Sequence, residues 1–140
     1  MAKREIKRHA AAPRRNILLV DDDPGVREAL GEALCCRNYH VVPAACGREA
    51  VRELASTPID IVLLDLNLGP ESGWSTFQEL ISLQPLLPII IITGQPHLYE
   101  GNEIPGARAF MEKPLDLPVL FEILEELRFG IVEEQPVEGV

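Results

Sequence analysis

Three short stretches of this chain are apolar almost without interruption: "NILLV" (16–20), "PIDIVLLDL" (58–66) and "PIIIIT" (88–93). A strand wetted on one face alternates apolar with polar side chains, so an unbroken run reads as a strand buried on both faces. Between these runs the spacing of apolar residues becomes helical. In "PGVREALGEALCCR" (24–37) it is carried by Val26, Ala29, Leu30, Ala33 and Leu34, with Asp23 placed to cap the helix and Pro24 at its first position. "GREAVRELAS" (47–56) puts Ala50, Val51 and Leu54 on one face. "SGWSTFQELISLQ" (72–84) turns Trp74, Phe77, Leu80 and Ile81 inward, and "DLPVLFEILEELR" (116–128) aligns Leu120, Ile123, Leu124 and Leu127. "YHVVPAA" (39–45) is β-like, but its proline places it near a sheet edge or ends it early, and "ARAFME" (107–112) is a short further strand. Strand and helix therefore alternate, which predicts an α/β doubly wound sheet of five parallel strands with helices on both faces.

In such a sheet, ligands bind outside the carboxyl ends of the strands. The first strand here runs into Asp21, Asp22 and Asp23, the third ends at Asp65, the fourth at Thr93 and the fifth near Lys113. The fold thus gathers two or three carboxylates, a hydroxyl and one ammonium on one rim above an apolar floor. Like charges so close share a proton or take up a cation, and one lysine does not balance three aspartates. Oxygen ligands without His or Cys favour Mg²⁺, which also keeps positions open for phosphate oxygens. Asp23 reads as a helix cap; Asp21, Asp22 and Asp65 read as a cation and phosphoryl site.

Charge and composition narrow the partners. The first 15 residues hold six Lys/Arg and one Glu; the whole chain is −9, leaving −14 on residues 16–140. A body this acidic is a poor ligand for nucleic acid, and direct DNA binding is not expected. The basic head reads as a solvated disordered tail, with contact to nucleic acid or an acidic surface as the alternative. No apolar run approaches the roughly 18 residues that cross a bilayer, and nothing at the N-terminus resembles a secretory signal, so a cytoplasmic protein is expected. Cys35, Cys36 and Cys46 form neither a disulfide framework nor a zinc spacing; Cys35 and Cys36 are expected to pack as small apolar residues near a helix end. His9, His40 and His97 show no ligand spacing.

"LLVDDDP", "DIVLLDLNL", "PIIIITG" and "FMEKPL" together resemble the four signatures of a response regulator receiver domain, over about residues 15–128. The separations match as well: 44 residues from Asp21 to Asp65, 28 from Asp65 to Thr93 and 20 from Thr93 to Lys113. The resemblance implies a flavodoxin-like strand order 2-1-3-4-5 and a role in two-component signalling. Asp65 matches the phosphoacceptor that takes a phosphoryl group from a histidine kinase or phosphotransfer protein. Asp22 matches the direct Mg²⁺ ligand, Asp21 its neighbour acting through metal-bound water, and Asn67 the position whose backbone carbonyl binds the metal. Thr93 and Lys113 match the phosphoryl-binding hydroxyl and ammonium, and Phe110 the aromatic switch that moves with Thr93. Asn67 and Gln95 fall where the family tunes acyl-phosphate lifetime. The family's lysine–proline peptide, here Lys113–Pro114, is typically cis. Such a domain catalyses its own phosphorylation and dephosphorylation without being a turnover enzyme.

The resemblance divides the chain into a basic extension (1–15), a receiver domain (16–128) and an acidic flexible tail (129–140). Output is then a contact with a downstream protein, unless the chain is a piece of a larger response regulator or hybrid kinase. The family pairs copies through the fourth helix, fifth strand and fifth helix. Here "GQPHLYEGNEIPGARA" carries Pro96, Gly101, Pro105 and Gly106, which predicts a short or distorted fourth helix near 97–103 and weakens a homodimer through that face. A second departure is Gly69-Pro70, where the family's proline comes one residue earlier; it is expected to alter loop rigidity and to matter little for chemistry. Two other readings compete. A phosphorylation-independent binding module would have lost an acceptor, a metal aspartate or the lysine. An aspartate-nucleophile phosphatase would want a second acid two residues beyond Asp65, where Asn67 stands.

Overall fold

A computed structural model describes residues 14–94 and 104–129. In chain order they form β1 (Arg15–Val20), α1 (Pro24–Cys35), β2 (Tyr39–Ala44), α2 (Gly47–Ser56), β3 (Ile61–Asp65), the two-residue strands β4 (Asn67–Leu68) and β5 (Glu71–Ser72), α3 (Gly73–Leu83), β6 (Ile89–Thr93), β7 (Ala107–Glu112) and α4 (Leu117–Phe129). The main sheet has the order β2-β1-β3-β6-β7 with every pair parallel, the 2-1-3-4-5 order of a flavodoxin-like fold. β4 and β5 pair with each other as a small antiparallel hairpin.

The unbroken apolar runs occupy the three central strands, and successive side chains feed opposite layers. Ile17, Leu19, Ile61, Leu63, Ile90 and Ile92 pack with Leu30 and Leu34 of α1 and Leu120 and Leu124 of α4. Leu18, Val20, Val62, Leu64, Ile89 and Ile91 pack on the other face, with Ala50 and Leu54 of α2 and Phe77 and Leu80 of α3. Each fully buried Leu or Ile contributes about 1.5–3 kcal/mol, so the central strands hold the fold and the edges are free to be irregular. They are: β2 carries Pro43 at one edge, and on the other β7 is bulged, with Ile89 opposite Ala107 and Ile90 opposite Ala109, leaving Arg108 as the extra residue.

Several expectations are corrected. β3 starts at Ile61 rather than Pro58: the Asp60 N–H still donates to the Asn16 carbonyl at 2.9 Å, but the Asn16 N–H turns to the Asp60 side chain at 2.7 Å, so regular pairing begins one residue later. Cys35 and Cys36 are exposed, not packed: they follow Leu34, the last buried residue of α1, and about 100° of helical rotation per residue carries them off the core stripe. Val26 and Ala29 are exposed too, since Leu30 and Leu34 carry the packing of that helix. The expected fourth helix (97–103) and Gln95 lie outside the described residues, as do residues 1–13 and 130–140. Among the described residues no helix is long and apolar enough to cross a membrane.

Candidate phosphoryl and metal site

The site is built where the central strands stop. Asp21 still belongs to the ladder through its N–H, which donates to the Ala44 carbonyl at 3.1 Å; beyond it the chain peels away. Asp21 is buried, and its Oδ1 accepts the Asp23 N–H at 2.9 Å. Its carbonyl accepts a hydrogen bond from Arg27 Nη1 at 2.6 Å, tying the first turn of α1 to the strand end. Asp23 caps α1, accepting the Gly25 N–H at 2.9 Å and the Val26 N–H at 3.4 Å. Asp22, between them, faces solvent.

Asp65, the last residue of β3, is 1% exposed. Its Oδ1 accepts the Asn67 N–H at 3.0 Å and its Oδ2 accepts Lys113 Nζ at 2.8 Å. Lys113 follows β7, and its N–H donates to the Thr93 carbonyl at 2.9 Å, which sets the lysine beside the end of β6. Its ammonium also lies 3.8 Å from Asp21 Oδ2. The Lys113–Pro114 peptide is cis. Thr93 is buried at the same rim.

One carboxylate oxygen from each of Asp21, Asp22 and Asp65 falls within 4.8 Å of the others. Oxygens bound to a common Mg²⁺ at its usual bond lengths lie about 3 Å apart when cis and about 4.2 Å when trans, so the three groups are near enough to share one ion after side-chain adjustment or through an intervening water. The donors are all hard oxygens, which suits Mg²⁺ chemistry. The electrostatics agree. Burial raises the Asp21 pKa, the charges of Asp65 and Asp22 push the same way, and the Asp23 N–H and Lys113 oppose without prevailing. Burial disfavours the Lys113 ammonium, but its hydrogen bond to Asp65 and the charges of Asp65, Asp21 and Asp22 prevail, raising its pKa. A cation would relieve the crowding that lifts Asp21. Beside these groups opens a cavity of about 550 Å³, with Asp21 and Lys113 meeting apolar walls from Val26, Leu30, Ile92 and Leu115.

Asp21, Asp22, Asp65 and Lys113 therefore converge, with Thr93 beside them through its carbonyl and Asn67 through its N–H. Phe110 stands apart: it is 37% exposed on β7, in a groove with Met111, Val119 and Ile123. Sequence reasoning missed three supports. Arg27 carries no motif. Gly69 enters the sequence reading only as part of a loop whose proline is displaced. Gly73 opens α3 directly beneath the site, its N–H donating to the Leu66 carbonyl at 2.9 Å. A Cβ there would lie 2.7 Å from the Leu66 oxygen and 2.8 Å from the Asp65 oxygen, so only glycine lets the helix end support that loop. A glycine immediately after the helix cap, where other residues are tolerated, is the signal that could have found it.

Comparison with known proteins points the same way. The family model "Response regulator receiver domain" matches residues 17–125. Transcriptional regulatory protein GlrR of Escherichia coli (strain K12) is 34% identical over 113 residues, covering 79% of this chain and 26% of GlrR. Regulatory protein VirG of Agrobacterium tumefaciens (strain 15955) is 35% identical over 123 residues, covering 85% of this chain and 44% of VirG. The chain thus spans a quarter to under a half of these curated relatives. Among solved structures, response regulator TrrA of Thermotoga maritima in complex with Mg²⁺-BeF superposes with a TM-score of 0.72 at 30% identity, over 81% of this chain and 98% of TrrA. TrrA in complex with histidine kinase ThkA gives 0.71 at 29% identity, over 81% and 97%.

Proposed function

The chain belongs to the response regulator receiver domain family, and from that premise we propose that Asp65 is the residue that accepts a phosphoryl group, from a histidine kinase or phosphotransfer protein. A carboxylate oxygen of Asp65 attacks phosphorus, the bond from phosphorus to the donor imidazole nitrogen breaks, and the electron pair leaves with that nitrogen. Catalysis of this step is positioning and charge stabilisation. Lys113, now on Asp65 Oδ2, follows the new charge onto a phosphoryl oxygen, and the Thr93 hydroxyl takes another. Asp22 directly, Asp21 through water, Asp65 and the Asn67 carbonyl would hold Mg²⁺, which supplies positive charge to the transferring oxygens. The apolar cavity beside Lys113 gives the donor protein a surface to seat on.

The observation that carries this reading is the convergence of a buried Asp65, its Lys113 partner and two further carboxylates. What supports the donor class is the family, together with a similar regulator known in complex with its kinase. The added charge then draws Thr93, at the end of β6, toward the phosphoryl group, and Phe110 on β7 turns inward, changing the β7–α4 surface for a downstream protein in the cytoplasm. The test is incubation of the protein with acetyl phosphate and Mg²⁺. One phosphoryl mass should appear on Asp65, vanish on omission of Mg²⁺ and be absent in Asp65→Asn; a mass gain that survives Asp65→Asn sinks the assignment.

A further inference from the structure

We propose that the side-chain-free backbone at Gly69 fixes where Asp22 can stand, and thereby fits the acid site to a small, geometrically strict cation; the inference rests on the metal-dependent phosphoacceptor reading. Gly69 and Pro70 form the two-residue loop of the β4–β5 hairpin, in which Asn67 pairs with Ser72 and Leu68 with Glu71. Gly69 has φ +70°, and a glycine at positive φ followed by proline matches a type II′ turn, which takes Gly first and excludes type I′ because proline cannot adopt positive φ. This is where the chain departs from its family's usual proline placement, and it lies over the acids: a Cβ at residue 69 would be 3.2 Å from Asp22 Oδ2, inside ordinary contact.

Between the two, Asp22 must be the one to yield. The hairpin is held at both ends and in the middle. The Asn67 N–H is on Asp65 Oδ1 at 3.0 Å, and Leu68 is buried. Glu71 Oε1 accepts the N–H of Gly47 at the start of α2 at 3.1 Å, and the Gly73 N–H is on the Leu66 carbonyl at 2.9 Å. Asp22 is exposed and has room to swing outward. A displacement of a few tenths of an ångström is costly for Mg²⁺, which demands near-octahedral geometry with short bonds, and is tolerated by Ca²⁺, whose shell is longer and more variable. Gly69 is in this sense a positioning residue: it acts on the cation through Asp22. The departure at Gly69-Pro70, expected from sequence to matter little for chemistry, bears on the metal.

The experiment is calorimetric titration of the full chain with MgCl₂ and CaCl₂, with thermal unfolding of each variant alongside. Gly69→Ala adds a Cβ and backbone strain; Gly69→Asn adds bulk with less strain, because Asn tolerates positive φ. Gly106→Ala is the control, a second positive-φ glycine (φ +95°) whose Cβ would instead meet Ile81 Cδ1. Both Gly69 variants should weaken Mg²⁺ binding about tenfold or more, and Ca²⁺ binding by less than about threefold. Gly106→Ala should melt earlier and bind Mg²⁺ as the wild type does. Unchanged Mg²⁺ affinity in folded Gly69 variants, or equal losses for the two cations, overturns the inference while leaving the phosphoacceptor reading intact. A wild type that binds no Mg²⁺ overturns both.

Discussion

The two rims of the sheet use charged residues in opposite ways. At the amino rim, Arg15, Asn16 and Asp60 help to close the fold. Asp60 accepts the Asn16 N–H at 2.7 Å and faces Arg15 at 3.6 Å; the Arg15 guanidinium donates to the Leu127 carbonyl at 3.3 Å, at the C-terminal end of α4; and Asn16 Nδ2 donates to the Pro58 carbonyl at 2.6 Å. Donors there find acceptors and opposite charges meet. At the carboxyl rim, three carboxylates crowd within 4.8 Å around one ammonium, and burial together with its acidic neighbours lifts the pKa of Asp21. That rim is left short of positive charge, which the proposed Mg²⁺ would make up together with the lysine. The contrast separates residues that hold the domain together from residues proposed to hold a charged ligand.

The strongest way to break the contrast is to remove the one ammonium. Lys113→Ala should slow phosphoryl acceptance from acetyl phosphate by about 10²–10³-fold, the usual cost of losing one preorganised donor at a developing negative charge. In saturating Mg²⁺ its melting temperature should stay close to that of the wild type. A variant that unfolds early yet accepts phosphate at the normal rate would put Lys113 in the same class as the amino rim. The reciprocal change is Asp60→Ala, which removes an acceptor from the Asn16 N–H and the partner of Arg15. It should cost about 1–2 kcal/mol of stability in chemical denaturation and leave the acceptance rate unchanged. A large drop in that rate would mean the two rims are coupled through the sheet.

The amount of this that was legible in the sequence follows the same division. Unbroken apolar runs such as Ile61–Leu64 permit a single environment, a strand covered on both faces, so strand order and the rim bearing Asp21, Asp65, Thr93 and Lys113 could be read from periodicity, connection rules and the family resemblance. Features set by close approach between distant segments could not. Nothing local in "NLGPESG" says that Gly69 nearly touches Asp22 or that Gly73 abuts the backbone of Leu66. Helical spacing likewise marks Val26 and Ala29 as members of a stripe but does not say where the facing layer ends, and it ends before them. Cys35 and Cys36 depart from expectation because a small apolar side chain one or two steps past a buried leucine looks like core on composition and lies off the stripe on geometry.

The smallest effect tests the electrostatic half of the contrast directly. A carboxyl group whose pKa is higher in the folded protein than in the unfolded chain binds more protons when folded, so its contribution to stability falls as pH rises from the unfolded value, about 3.9 for aspartate, through the folded one. Asp21 is such a group, raised first by burial and then by Asp65 and Asp22. Without metal, wild type and Asp21→Asn should therefore diverge as pH climbs through the mildly acidic range, with the wild type losing ground because it alone must ionise a crowded carboxyl. Lys113 carries the same sign at the alkaline end: its raised pKa gives stability that is present at neutral pH and lost as the folded ammonium deprotonates. Saturating Mg²⁺ should abolish the acidic divergence or reverse it, since an ionised Asp21 then faces a cation instead of only its acidic neighbours. Denaturation midpoints of both proteins, with and without Mg²⁺ across that range, decide the matter. Parallel curves in the absence of metal would mean that the carboxyl rim is as well compensated as the amino rim, and the distinction between them would fall.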